Sequence, residues 1–132
     1  MCFIKDDYAM VHSVTEKDVS CYKVMELTAS GTLRSLMYKR DKHYYLGDIM
    51  YPDVSIDANK LDEFTELGAG VIHSNQYDGK NIKMIKEELL RKRFCFPRVI
   101  VKCVIPKGTP YWDNVYEFAS TRLKLKEIIP IV

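Results

Sequence analysis

The residues with the types and neighbours to do chemistry gather in the last third of this 132-residue chain, with two weaker groups upstream. Glu117 stands between Tyr116 and Phe118, after Tyr111 and Trp112. A carboxylate beside aromatic rings loses hydration, so it needs hydrogen bonds or a reaction to serve. The plainer reading is a surface glutamate in a loop. Upstream, Val71-Ile72 runs into His73-Ser74, an imidazole and a hydroxyl on an apolar strand, where a hydrogen-bonded core histidine is the ordinary explanation. Lys23 follows Tyr22 in a third extended run, and a strand lysine ordinarily lays its stem along the sheet. Cys2, Cys21, Cys95 and Cys103 are scattered, make no C-x-x-C pair, and have only His12, His43 and His73 to join them. That spacing argues against zinc and for reduced, mostly buried thiols, so no metal is expected. The sequence contains no phosphate loop, G-x-G-x-x-G, G-x-S-x-G, H-E-x-x-H or EF-hand loop.

These residues need elements to position them. Ser20 to Leu27 alternates as a strand, with Tyr22, Val24 and Glu26 on one side and Cys21, Lys23, Met25 and Leu27 on the other. A turn at 28–32 leads to a second extended run over 33–38. Tyr44 to Asp48 begins a short strand or loop, and Tyr44-Tyr45 reads as cross-strand packing. Leu61 to Leu67 suggests a helical turn, and Val71 to Ser74 a short strand. Asp78 or Asn81 can cap a helix over 79–94, where Ile82, Ile85 and Leu89 recur at helical spacing and Arg91-Lys92-Arg93 ends in solvent. Arg98 to Ile105 is the strongest strand, with Val99, Val101, Cys103 and Ile105 on one apolar face. Pro106 to Pro110 is a tight turn, 112–120 a loop or irregular strand, and Leu123, Leu125 and Ile128 mark a last strand. Strands, one main helix and strands again predict an α+β domain rather than alternating βαβ units.

Composition sets outer bounds. Hydrophobic residues at 47% and charged residues at 29% are those of a globular domain, and the length predicts a single one. A net charge of +2, from 20 basic and 18 acidic residues, is too small to argue for nucleic acid or an anionic membrane. Basic residues near tyrosines could meet single strands, but the balancing acids weigh against it. The start, MCFIKDDYAM, lacks the pattern of a signal peptide, and no apolar run reaches the roughly 20 residues of a spanning helix. The expectation is a soluble, cytoplasmic protein with no membrane partner.

The stretch VIVKCVIPKGTPYWDNVYEFASTRLKLKEI resembles the C-terminal half of the ADP-ribosyltransferase fold. In that family an apolar strand ends in a phrase like I-P-K-G-T, a loop presents the catalytic glutamate, and a further strand follows. Cys21-Tyr22-Lys23 is similar to the first-strand motif, where an aromatic precedes an Arg or His that contacts the dinucleotide. Gly70-Val71-Ile72-His73-Ser74 is similar to the strand that often carries Ser-Thr-Ser. The chain also resembles short uncharacterised bacterial and phage proteins with YKV, G-x-x-H-S and IPKGT runs.

The resemblance implies two small, curved, mostly antiparallel sheets, a split barrel with the 79–94 helix packed on one side. The cleft would lie between the YKV strand, the G-x-x-H-S strand and the 111–120 loop. It implies NAD or a related ADP-ribose-containing nucleotide as ligand and cleavage of the nicotinamide–ribose bond as the reaction. That cleavage passes through an oxocarbenium-like state, which a carboxylate stabilises. Glu117 takes that place, with Ser74 to orient it. Lys23 and His73 would hold pyrophosphate or the adenosine ribose. Tyr22, Tyr111, Trp112 and Tyr116 are the candidates to stack on a ring.

Three departures leave two other readings open. Lys23 replaces the Arg, His73-Ser74-Asn75 replaces Ser-Thr-Ser, and Val115 stands where toxin-type members often carry a second Glu or Gln. One alternative is a module that sequesters a nucleotide without turnover, as a phage anti-defence protein would. The other is an inhibitor or adaptor that binds a host protein and uses the fold only as scaffold.

Overall fold

The two longest extended runs pair with each other at the middle of the sheet. In the computed structural model, which describes residues 11–36, 42–52, 72–76, 78–92, 97–113 and 117–131, β2 (Val19–Leu27) and β6 (Arg98–Ile105) are antiparallel. Their register runs without interruption from Val19 opposite Ile105 to Glu26 opposite Arg98. Because side chains alternate along a strand, Cys21 and Met25 share the inner face with Val99, Val101, Cys103 and Ile105. This face carries the main core, joined by Leu123, Leu125, Phe118, Ile72, Met50, Leu33 and Tyr44.

Seven shorter strands complete the sheet: β1 (Val11–Val14), β3 (Leu33–Arg34), β4 (Ile49–Met50), β5 (Ile72–Gln76), β7 (Pro110–Asp113), β8 (Glu117–Ser120) and β9 (Leu123–Ile129). They form one hydrogen-bonded path, β1-β7-β8-β5-β2-β6-β9-β4, with β3 added beside β2, and every pairing is antiparallel. The path curls. β8 and β9 lie four positions apart in it, about 19 Å on a flat sheet. Yet only Thr121 and Arg122 connect Ser120 to Leu123, a span of about 11 Å at most.

The sheet also forks. One edge of β2 is paired along its length by β6. The other edge carries β5 at Cys21 and Tyr22, then β3 at Glu26 and Leu27. Between them, Lys23, Val24 and Met25 have no strand on that side among the described residues. β5 leaves β2 there and continues beside β8 alone.

Helix α1 (Gly79–Arg91) covers the outer face. Asp78 is its N-cap and accepts a hydrogen bond from the Lys80 N–H, as Asp does at helix starts. Ile82, Ile85 and Leu89 pack on Tyr22, Val24, Ile100 and Ile129. The helix stops at Arg91, short of the expected 94, because the chain is already extended at Lys92 on its way to β6. Among the described residues no helix is long and apolar enough to cross a membrane.

The fold refines the expectations from sequence. Of the two readings of 112–120, the strand holds for its described residues: they belong to β7 and β8, which pair from Tyr111 opposite Ser120. Four-residue strands with mixed polarity give too few periods to be seen. β1 was not expected at all. The run over 33–38 yields a strand of two residues, Leu33–Arg34. The helical turn at 61–67 falls outside the described residues, as do Gly70, Val71, Tyr116, Cys2 and Cys95.

The Ile-Pro-Lys-Gly-Thr phrase has a structural role that its sequence did not announce. Gly108 turns at φ 81, in the region that favours glycine. The Thr15 hydroxyl donates to the Pro106 carbonyl at 2.6 Å and accepts from the Thr109 N–H at 2.9 Å. The Gly108 N–H donates to the Thr15 carbonyl, the Lys107 N–H to Asp18, and Arg122 to the Thr109 hydroxyl. The phrase thus ties the β6–β7 turn to the chain after β1 and to the start of β9. Thr15→Val should cost about 1–3 kcal/mol, because it strands a buried N–H. A urea titration of the folded protein should show the midpoint fall; an unchanged midpoint would deny the tie.

Candidate functional site

The site is set by the way three strands line up. Asn75 of β5 lies opposite Glu117 of β8 on one side and opposite Tyr22 of β2 on the other. Residues directly opposite share a face, so Tyr22, Asn75 and Glu117 form one row on the outer face. His73 is two residues along β5, opposite Ala119, and so shares that face. Diagonal positions of this kind are about 7–8 Å apart. Glu117, His73 and Asn75 are all half-buried, which leaves each reachable from solvent. Lys102 of β6 continues the row beyond Tyr22 and holds Glu127 loosely at 3.9 Å.

Alternation sends the other candidates elsewhere. Ser74 lies opposite Phe118 and faces inward, away from Glu117, so the expected pairing of its hydroxyl with that carboxylate does not form. Its Oγ is buried and finds no hydrogen-bond partner among the described residues. Lys23 also faces inward, between Cys21 and Met25. Its ammonium donates to the His73 carbonyl at 2.6 Å and bridges the fork between β2 and β5. Lys23 keeps some exposure as a residue, but the surroundings of its ammonium are dense enough that desolvation lowers its pKa. It is therefore a structural clamp on the His73 backbone and not an outward cation for phosphate.

The stacking roles need correction too. Tyr22 is 2% exposed, beneath α1, and burial together with the nearby Asp78 charge raises its phenol pKa. Trp112 is 0% exposed. Tyr111 packs toward the inner core with its ring edge-on to Phe118 at 6.0 Å. Tyr22 and Trp112 are packing residues, since a ring buried by protein has no free face for a ligand, and Tyr111, half-buried, packs inward away from the Glu117 face. Tyr116 lies outside the described residues.

Two residues on the Glu117 face were missed by sequence reading, Asn75 and Lys102. The signal for Asn75 was available: in a His-Ser-Asn run the first and third residues share a face and the second does not. Lys102 was hidden inside the apolar run of β6, where it is the one polar interruption among Val101, Cys103 and Val104.

Inside the fork a second polar group meets the core. Cys21 and Cys103 are opposite each other, both free and both 0% exposed. The Cys103 thiol donates to the Val101 carbonyl at 3.3 Å, and the polar surroundings of Cys21, the neighbouring Cys103 thiol first, then the Ser74 hydroxyl and the Lys23 charge, lower its pKa against burial. Cys103 moves the other way, raised by Cys21 and by burial. Among the described residues no cluster of His, Cys, Asp and Glu could hold a metal ion. No protein-family model, curated protein or solved structure matches the chain.

Proposed function

We propose that the protein is ADP-ribosyltransferase-like and binds NAD, or another ADP-ribose-containing nucleotide, over the β8–β5–β2 face. One observation carries this reading: Glu117 and His73, far apart in sequence, share a face of adjacent strands beside the fork. The curled antiparallel sheet with a single long helix is compatible with it. The three segments named by the resemblance are neighbours in space, although only part of each faces outward.

On this reading Glu117 accepts hydrogen bonds from the nicotinamide ribose and stabilises the positive charge that grows on it. The glycosidic C–N bond breaks with its electrons leaving on nicotinamide, and water or an acceptor nucleophile adds to the ribose carbon. Asn75 stands beside the carboxylate and orients it by its amide, the task expected of Ser74. His73 hydrogen-bonds the second ribose or a phosphate. Lys102 is the cation of this face for the pyrophosphate, in place of Lys23. No step needs a metal ligand.

A second reading, binding without turnover, is favoured by one observation: the Ser74 hydroxyl faces away from Glu117. Purified protein titrated with NAD and with ADP-ribose in a calorimeter, followed by chromatography for nicotinamide, separates the two. Heat of binding with nicotinamide release supports the enzyme. Binding alone supports sequestration, as of a signalling nucleotide. No binding of either nucleotide at millimolar concentration overturns both.

A further inference from the structure

We infer that Cys21 and Cys103 are a buried redox pair that peroxide closes into a cross-strand disulfide. This inference does not depend on the nucleotide reading.

The geometry comes first. Cys21 of β2 lies directly opposite Cys103 of β6 in a register free of bulges. The Leu27 N–H donates to the Pro97 carbonyl at 2.8 Å, which marks the directly opposed pair after Glu26 and Arg98 as hydrogen-bonded. Hydrogen-bonded pairs recur every second residue, so Cys21 and Cys103 are another such pair, with Cα atoms about 5.5 Å apart. A disulfide spans about 4.4–6.8 Å between Cα atoms. Both side chains stand on the inner face, where the Cys103 thiol donates to the Val101 carbonyl at 3.3 Å.

The surroundings divide the labour. The thiolate is the nucleophile in thiol oxidation. Two buried polar groups that the outer face does not use stand close enough to favour a thiolate at Cys21: the Ser74 hydroxyl, otherwise without a partner, and the Lys23 ammonium. Cys103, whose pKa is raised by Cys21 and by burial, lies directly opposite and is placed to resolve. Full burial of both sulfurs restricts the oxidant to one little larger than water, and hydrogen peroxide meets that limit.

The chemistry balances. The Cys21 thiolate attacks one peroxide oxygen, the O–O bond breaks, and hydroxide leaves and takes a proton to become water. Cys21 is now a sulfenic acid. The Cys103 sulfur attacks the Cys21 sulfur, the S–S bond forms, the S–O bond breaks, and a second water leaves with the Cys103 proton. Two thiols are oxidised and one peroxide is reduced to two waters.

The test uses the full chain with Cys2→Ser and Cys95→Ser, so that the pair holds the only thiols. The folded protein is treated with peroxide, quenched with catalase, unfolded, alkylated and weighed intact. Both thiols should be lost together, the mass should fall by two hydrogens, and dithiothreitol should restore it. In a Cys103→Ser version Cys21 should stop as a sulfenic acid that a dimedone-type probe, added with the denaturant after the peroxide is quenched, captures, whereas Cys21→Ser should leave Cys103 unlabelled. Ser74→Ala and Lys23→Met should each slow the loss several-fold, with folding checked by circular dichroism. Thiols that remain fully alkylatable after native treatment would overturn the inference, as would oxidation no faster folded than in urea. Equal probe labelling of the two single-thiol versions would overturn the division of roles.

Discussion

Glu117→Gln should lower nicotinamide release by about 100- to 1,000-fold, the scale on which one preorganised electrostatic group at a reacting centre acts. The substitution preserves shape and removes only the charge. Glutamine can still hydrogen-bond a ribose hydroxyl, so nucleotide affinity should change far less than turnover. The side chain is half-buried at the start of β8 and holds no core position, so the urea midpoint should stay close to the parent. Asn75→Ala, on the neighbouring strand, should lower turnover less and leave the urea midpoint similarly intact. If the Glu117→Gln protein turned over NAD at the parent rate, the chemistry would lie elsewhere and the row of Tyr22, Asn75 and Glu117 would be only surface. If the parent binds nucleotide without releasing nicotinamide, the same substitution should weaken binding, which reads the same position without catalysis.

Trp112→Ala should be among the most damaging single changes to stability, at about 3–5 kcal/mol. For a domain of this size that lowers the melting temperature by about 10–20 °C. The indole is 0% exposed, and Trp112 lies opposite Ala119 within the β7–β8 hairpin that presents Glu117. Tyr45, at 65% exposure, is the contrast: its replacement by alanine should move stability by no more than about 0.5 kcal/mol. Calorimetric melting of both variants checks the pair. The result also bears on function, because a stacking tryptophan would lose ligand affinity on truncation while keeping the melting temperature. A Trp112→Ala protein that melts like the parent would restore the stacking role that burial denies it.

The same contrast shows why some features could be read before folding and others not. The strand at 98–105 and the helix after Asp78 were legible because each carries its own periodicity over several turns or pleats. β7 and β8 were not, because four residues each, one beginning with Pro110, hold too little pattern and become strands only by pairing. The Ile-Pro-Lys-Gly-Thr phrase was conspicuous for its turn chemistry, but its partners Thr15, Asp18 and Arg122 come from two other parts of the chain.

The candidate site divides along the same line. That Tyr22 and Lys23 must face opposite ways, and Ser74 opposite to His73 and Asn75, followed from the local alternation of any strand. Which of each pair faces the core depends on the register of β5 against β2 and β8. A shift of one residue there would carry Ser74 outward beside Glu117 and turn Asn75 inward. Local spacing therefore determined the long strands, the helix and the kinds of side chain on offer. Tertiary pairing alone decided that Asn75 and His73 meet Glu117 while Lys23 and Ser74 turn to the thiols, because the contacts that select a register join residues far apart in the chain.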